Sequence, residues 1–228
     1  MNCKICGREV NVTTEKNHCK ILQCPACNFF FSEDHATPEY YDEKYWNEHD
    51  AGWKDRQKES NLKAHLNGIL HYNPKAKKLL DFGCGFGDFT EYLRKKGDNA
   101  YGCDTFPGLP EKEYLSYDYI PWLHLYDAIT MIEVLEHLSD PLQALKDLRG
   151  AIQKKGTLHI QTQIWNENKN IVEWWYCDPP NHCNYFTAQA MERILTLSGW
   201  EIKYIRSPNT VAKPKEEKKN VIRLSKIS

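Results

Sequence analysis

A short apolar run, Leu79-Leu80-Asp81-Phe82, leads into Gly83-Cys84-Gly85-Phe86-Gly87 and then into residues with helical spacing. This succession of strand, glycine loop and helix constrains the fold more than any other feature of the chain. Glycine tolerates positive φ and lets a ligand come close to the backbone. The helix start offers N–H groups that have no partner inside the helix. In the dinucleotide fingerprint G-x-G-x-x-G the third glycine packs helix against sheet beside a pyrophosphate. Here it comes one residue earlier, and Asp81 precedes the loop, which suits a ligand without a pyrophosphate.

Around this loop strands and helices alternate. Lys77–Phe82 reads as a strand, Gly85–Lys96 as a helix closed by Gly97, and Asn99–Cys103 as a second strand ending at Asp104. Tyr126–Ile132 reads as a buried strand, Pro141–Ala151 as a helix and Gly156–Gln163 as a strand. Thr187–Ser198 reads as a helix capped by Thr187 and stopped by Gly199. Trp200–Arg206 and Asn220–Lys226 read as an antiparallel hairpin with a charged tip over Lys213–Lys219. Before all of these, Leu62, Leu66, Ile69 and Leu70 predict an amphipathic helix over 56–71. Such alternation predicts an α/β fold, a mostly parallel sheet covered on both faces. Ligands of such sheets bind at the carboxyl ends of the strands, which gathers the loops after Phe82, Cys103 and Ile132 around one crevice.

On these residues the chain resembles the class I S-adenosylmethionine-dependent methyltransferases of small-molecule type. The resemblance covers roughly residues 75–228 and rests on three blocks: Asp81 with the glycine loop, Tyr101-Gly102-Cys103-Asp104, and Tyr126–Ile132 followed by Glu133-Val134-Leu135-Glu136-His137-Leu138. It implies a Rossmann-like, seven-stranded methyltransferase sheet with a C-terminal antiparallel hairpin. It further implies that Gly83, Gly85 and Gly87 pass around the methionine moiety, with Asp81 near its amino group and Asp104 on the ribose hydroxyls. Phe82, Cys84, Thr105, Ile132, Glu133, Val134 and His137 are then expected to line the cofactor site. One departure stands out. Only 23 positions separate Asp104 from Asp127, and Thr105-Phe106-Pro107-Gly108-Leu109-Pro110 cannot be helical, so the helix after the second strand is expected to be missing or reduced to a turn. The adenine side is left with Phe106, Leu115, Ser116 and Tyr117 as candidates.

The N-terminus carries a second motif. Five of the nine cysteines fall in the first 27 residues, and Cys3-x-x-Cys6 and Cys24-x-x-Cys27 predict a tetrahedral zinc held by four thiolates. Four thiolates leave no open position, so the metal is expected to be structural. His18 and Cys19 are the alternative ligands. The arrangement resembles the N-terminal zinc ribbon of some bacterial sugar and cell-surface methyltransferases; a ribbon also precedes certain rRNA guanine methyltransferases. The expected organisation is a zinc ribbon over 1–35, an aromatic and helical linker over 36–74 capping the active site, and a methyltransferase domain over 75–228.

The acceptor is expected near Glu173-Trp174-Trp175-Tyr176-Cys177-Asp178-Pro179-Pro180-Asn181-His182-Cys183-Asn184-Tyr185-Phe186-Thr187, where aromatics crowd one loop. His182 is the candidate general base, because imidazole can take a hydroxyl proton as that oxygen attacks the methyl sulfonium. Asp178 is expected to orient His182 or to bind a sugar hydroxyl. Tyr40, Tyr41 and Tyr45 are placed to close the site from the linker. His159 and the tryptophans read as packing residues.

The formal net charge of −1 gives no electrostatic footprint for nucleic acid. No basic–apolar leader opens the chain, and no apolar stretch reaches the roughly 20 residues that span a bilayer, so a cytoplasmic protein without membrane insertion is expected. The function expected from these readings is methyl transfer from S-adenosylmethionine to a hydroxyl of a small acceptor, a sugar or surface-polysaccharide precursor, leaving S-adenosylhomocysteine. The alternatives are C-methylation of a sugar, RNA methylation through the ribbon, and a non-catalytic S-adenosylmethionine-binding module. Oligomeric state is not legible.

Overall fold

The computed structural model describes residues 1–41, 45, 57–105, 109–117, 125–167, 170–206 and 220–226. In chain order the elements are β1 (Asn11–Lys16), β2 (Cys19–Cys24), β3 (Phe29–Ser32), α1 (Glu59–Tyr72), β4 (Lys78–Phe82), α2 (Asp88–Lys95) and β5 (Asn99–Cys103). There follow β6 (Leu115–Ser116), β7 (Tyr126–Ile132), α3 (Pro141–Ala151), β8 (Ile152–Thr162), β9 (Asn184–Tyr185), α4 (Ala188–Leu197), β10 (Trp200–Arg206) and β11 (Asn220–Lys226). The large sheet has the order β10-β11-β8-β7-β4-β5-β6: five strands from β8 to β6, continued at one edge by the antiparallel pair β10–β11. β4 lies parallel to both β5 and β7, and β5 runs parallel to β6. This is a Rossmann-like α/β arrangement around a central parallel sheet.

Contacts gather the chain into two compact units. One consists of Thr37–Ile132 and Gly150–His159, the other of Met1–Ala36, Glu133–Arg149 and Ile160–Ile227. In the first, Leu66 and Ile69 of α1 bury against Leu79, Phe89, Tyr92 and Leu93. The predicted stripe of α1 is therefore the face that packs, and burying each such side chain contributes roughly 1.5–3 kcal/mol. In the second unit, Ile21, Phe30, Trp165, Trp174, Tyr176 and Tyr185 form the core.

Most predicted elements appear with the predicted bounds; the differences have local causes. α2 begins at Asp88, not at Gly85, because Gly83, Gly85 and Gly87 have φ of 75°, 54° and 80°, outside the right-handed helical region. β8 begins at Ile152, ahead of the predicted Gly156, since Gln153, Lys154 and Lys155 are exposed and mask the strand alternation. The third strand of the parallel series is only two residues long, with Leu115 opposite Gly102 and Ser116 opposite Cys103. No helix occurs between Asp104 and Leu115 among the described residues, and Phe106 lies outside them. The hairpin tip over Lys213–Lys219 and Trp46 also lie outside the described residues.

The cysteine-rich segment does not end as a freestanding ribbon. Its strands β1, β2 and β3 form a sheet whose fourth member is β9, with Phe30 opposite Tyr185 and Phe31 opposite Asn184. The cause is visible in β3: Phe29-Phe30-Phe31-Ser32 is buried at every position, and a strand buried on both faces needs a partner at its edge. Among the described residues, no helix is long and apolar enough to cross a membrane.

Candidate functional site

The glycine loop is built at the carboxyl end of β4. Asp81 is 4% exposed. Its register partner on β7 is Thr130, whose hydroxyl donates to the Asp81 carboxylate at 2.7 Å. Burial pushes the Asp81 carboxyl up to about 7; the Thr130 hydrogen bond opposes this, and the charges of Asp104 and Asp88 add to it. Sequence reading passed over Thr130, although a lone hydroxyl inside Tyr126–Ile132 was the available signal. Phe82 is buried, and Gly83 and Cys84 both donate backbone N–H groups to Cys103 O, at 2.8 and 3.1 Å. Gly85 N–H donates to Asp104 Oδ2 at 2.7 Å, which orients the carboxylate that follows β5. At Gly87, the residue preceding α2, a Cβ would lie 2.7 Å from Leu115 Cδ1, in addition to the positive φ. Leu115 therefore packs on the loop. Thr105 is exposed and Ile132 half-buried, while Tyr117 is half exposed and donates its hydroxyl to Leu109 O at 2.7 Å. Tyr40, Tyr41 and Tyr45 pack on one another, with ring centroids 5.0–5.5 Å apart.

Such a cradle has definite chemistry. Three glycines remove side chains from the loop, and a buried carboxylate without a cation at hand lowers its energy by accepting an ammonium group. A second carboxylate, oriented by a backbone N–H, has the acceptor chemistry that suits a neighbouring pair of hydroxyls. These are the groups that the amino acid and ribose ends of S-adenosylmethionine present.

The residues after β7 form a polar nest in the other unit. Glu133 adopts φ 56°, a left-handed conformation costing about 1–2 kcal/mol for a side chain of this kind. Its N–H donates to Gln161 O at 2.9 Å, and its carboxylate accepts from Gln161 Nε2 at 3.3 Å and Tyr176 Oη at 3.4 Å. Val134 is buried. Glu136 is fully buried and accepts from the hydroxyls of Thr162, at 2.9 Å, and Tyr176. Burial and these two carboxylates raise the Tyr176 phenol well above its ordinary range, so it remains a donor. Sequence reading had left Tyr176 among loop aromatics; its clamp across Glu133 and Glu136 is decided only by the fold.

His137 and His182 stand side by side, ring centroids 4.7 Å apart. His137 Nδ1 donates to Asn181 O at 2.8 Å and His182 Nδ1 to Tyr176 O at 2.7 Å. A carbonyl only accepts, so both Nδ1 atoms carry a proton, and in a neutral ring the lone pair then lies on Nε2. The expectation that Asp178 orients the imidazole of His182 takes a different form. Asp178 O accepts from His182 N–H at 2.9 Å, while its carboxylate accepts from Asn17 Nδ2 at 3.2 Å and Asn181 Nδ2 at 3.3 Å. Of the loop tryptophans, Trp174 is buried and Trp175 is 56% exposed. His159 is buried on β8 beside Thr157, as a packing residue would be.

Cys3, Cys6, Cys24 and Cys27 bring their sulfurs within 4.8 Å of one another, and Cys19 is not among them. Cys6 and Cys24 sulfurs are 3.7 Å apart. A tetrahedron with zinc–sulfur bonds of ~2.3 Å has edges of about 3.8 Å, so this donor set fits the metal. None of the four is in a disulfide. Desolvation pushes the Cys3 thiol up to about 11 and that of Cys27 higher still. At Cys6 desolvation is outweighed by the Arg8 amide and the neighbouring thiols, which hold it below its ordinary value.

A family model described as a methyltransferase domain matches residues 53–205. Ubiquinone biosynthesis O-methyltransferase of Coxiella burnetii is 33% identical over 117 residues, 45% of this chain and 48% of that protein. The protein of that name from Histophilus somni is 27% identical over 106 residues, 38% of this chain and 44% of that one. The chain thus spans about half the length of the curated relatives it matches. Among solved structures, the 1,6-didemethyltoxoflavin-N1-methyltransferase of Burkholderia thailandensis, with bound 1,6-didemethyltoxoflavin and S-adenosylhomocysteine, superposes with a TM-score of 0.57. That match is at 15% identity and covers 95% of this chain and 99% of that one. The N,N-8-amino-8-demethyl-D-riboflavin dimethyltransferase of Streptomyces davawensis gives 0.58 at 16% identity, covering 84% of this chain and 60% of that one. The chain belongs to the methyltransferase-domain family and carries the class I S-adenosylmethionine-dependent methyltransferase fold.

Proposed function

We propose that this chain transfers the methyl group of S-adenosylmethionine to a hydroxyl of a small metabolite, of the class of sugars or surface-polysaccharide precursors. The observation that carries the reading is the cradle in which the buried Asp81, the loop Gly83–Gly87 and the Gly85-held Asp104 lie together. Asp81 takes the ammonium group, the loop passes around the methionine chain and Asp104 takes the ribose hydroxyls. The name of the curated relatives supports oxygen as the acceptor atom. When bound, the cofactor supplies a methyl group already activated on a sulfonium, so the protein's task is alignment more than covalent help.

His182 is the candidate base. Its Nδ1–H is held by Tyr176 O at 2.7 Å, and the tautomer so set leaves Nε2 to accept the proton released by the acceptor hydroxyl. Zinc at Cys3, Cys6, Cys24 and Cys27 holds the N-terminal segment together, and free thiols suit a reducing cytoplasm.

Calorimetry with S-adenosylhomocysteine tests the reading. Binding is expected, and Asp104→Ala should weaken it by tenfold or more; no heat at millimolar ligand overturns the assignment of the cradle. Loss of a general base ordinarily costs about 10²–10⁴ in rate. An unchanged turnover in His182→Ala therefore removes that residue from the base role.

A further inference from the structure

The hairpin of β1 and β2 ends in a two-residue turn. Lys16 pairs with Cys19, and the residues between them, Asn17 and His18, have φ of 52° and 63°. Such turns favour asparagine, aspartate or glycine at the first position for backbone reasons alone. Asn17 does more than close the turn. Its Nδ2 donates to Asp178 Oδ1 at 3.2 Å, 161 residues away along the chain, and to Pro179 O at 2.9 Å. The neighbouring Lys16 Nζ donates to Trp174 O at 3.3 Å, so the hairpin tip grips the 173–187 loop on either side of residues 175–177.

The residues held in this way are the ones that orient the imidazoles. Asp178 Oδ2 accepts from Asn181 Nδ2 at 3.3 Å, and Asp178 O accepts from His182 N–H at 2.9 Å, which closes the turn over 178–182. Asn181 is buried, and its carbonyl accepts from His137 Nδ1 at 2.8 Å. Two residues before Asp178, Tyr176 O accepts from His182 Nδ1 at 2.7 Å. Both carbonyls that fix the rings therefore belong to one short span, and Asn17 holds its middle.

We infer that Asn17 is a positioning residue for His182 and His137. It fixes Asp178 and Pro179, and through them the carbonyls of Tyr176 and Asn181 that aim the two rings. A bond of this kind adds little to global stability, yet an ångström of misplacement at a reacting group can cost about 10²-fold in rate. The N-terminal hairpin thus has a part in setting the acceptor side of the site. The inference rests on the methyltransferase reading only for the use made of His182.

The turn itself supplies the variants. Glycine and aspartate suit the same turn, so Asn17→Gly removes the amide and Asn17→Asp sets a carboxylate against Asp178, with the turn kept in both. The full chain, loaded with zinc, is followed by two-bond ¹H–¹⁵N spectra of its imidazoles at about pH 8, above the ordinary histidine range. In Asn17→Gly the ring signals of His137 and His182 should move while those of the other histidines stay. Exchange of the His182 amide should quicken about threefold to tenfold. Asn17→Asp should act in the same direction and more strongly. The double variant N17D/D178N exchanges donor and acceptor across the contact and should return the ring signals most of the way to wild type. Unfolding midpoint and S-adenosylhomocysteine affinity, measured on the same samples, are expected to stay unchanged.

Unmoved ring signals in Asn17→Gly overturn the proposal, as does a double variant whose spectrum remains that of Asn17→Asp. A lowered midpoint with every histidine signal displaced makes Asn17 a structural residue only, and overturns it too. If the wild type fails to bind S-adenosylhomocysteine while the ring response holds, the methyltransferase reading falls and the positioning role stands.

Discussion

Asp81 is the residue at which the proposed function and stability pull apart. Its carboxyl titrates at about 7 in the fold, desolvation being the chief cause, against roughly 3.9 in an unfolded chain. The native state therefore holds a proton over a window in which the unfolded state has lost it. By linkage, stability falls as pH rises from about 4 to 7 and stays reduced above that. At ~1.4 kcal/mol per pH unit the full penalty is at most about 4 kcal/mol. Asp81→Asn is expected to remove that slope, to stabilise the ligand-free protein at neutral pH and to abolish S-adenosylhomocysteine binding. Urea unfolding across this range checks it, and a variant that keeps the wild-type slope shows that the titrating group lies elsewhere. Gly87 gives a second test at this scale. Alanine there meets both a φ of 80° and Leu115, so a loss of about 1–3 kcal/mol in unfolding free energy is expected, with weaker cofactor binding.

At the scale of elements, the N-terminal sheet and the loop that carries His182 depend on each other. Ser32 N–H donates to Cys183 O at 2.9 Å, Ala36 N–H to Pro180 O at 2.9 Å, and Thr187 Oγ1 to Asn28 O at 2.8 Å. Asn17 Nδ2 adds a bond to Pro179 O at 2.9 Å. The cysteine cluster joins β2 to the turn before β3, and β3 pairs with β9, so with zinc bound as proposed its removal should loosen the loop as well as the N-terminal segment. Hydrogen exchange after chelation is expected to rise in Phe29–Ser32 and in the 178–187 segment together. A rise confined to the cysteine turns would show that the two elements are independent. Thr187 serves twice here, since its hydroxyl also accepts from Ala190 N–H at 3.1 Å as the cap of α4.

For the whole molecule, a ligand that binds only the folded chain raises its stability by mass action. S-adenosylhomocysteine at a hundred times its dissociation constant should add about 2.7 kcal/mol, read as a rise in Tm. With a net charge of −1, that rise should change little between low and moderate salt. A steep salt dependence, or an absent shift, would speak against this cradle as the binding site.

The sequence by itself determined the periodic elements and the two motifs. Local rules suffice there: apolar spacing marks α1, positive-φ glycines mark the loop, and paired C-x-x-C turns mark a four-thiol cluster. The placing of Asp81 and Asp104 beside the glycine loop and the clustering of the four cysteines were legible because each residue sits at a set offset within one motif. What only the tertiary structure decided are relations between distant segments. Thr130 meets Asp81 through strand register, and Tyr176 joins Glu133 to Glu136 across some forty residues of chain. β3 completes a sheet with β9 from the other end of the sequence, and His137 and His182 become neighbours. Side-chain spacing along a chain reports its own local geometry, whereas these pairings depend on how buried polar groups find partners in the folded core.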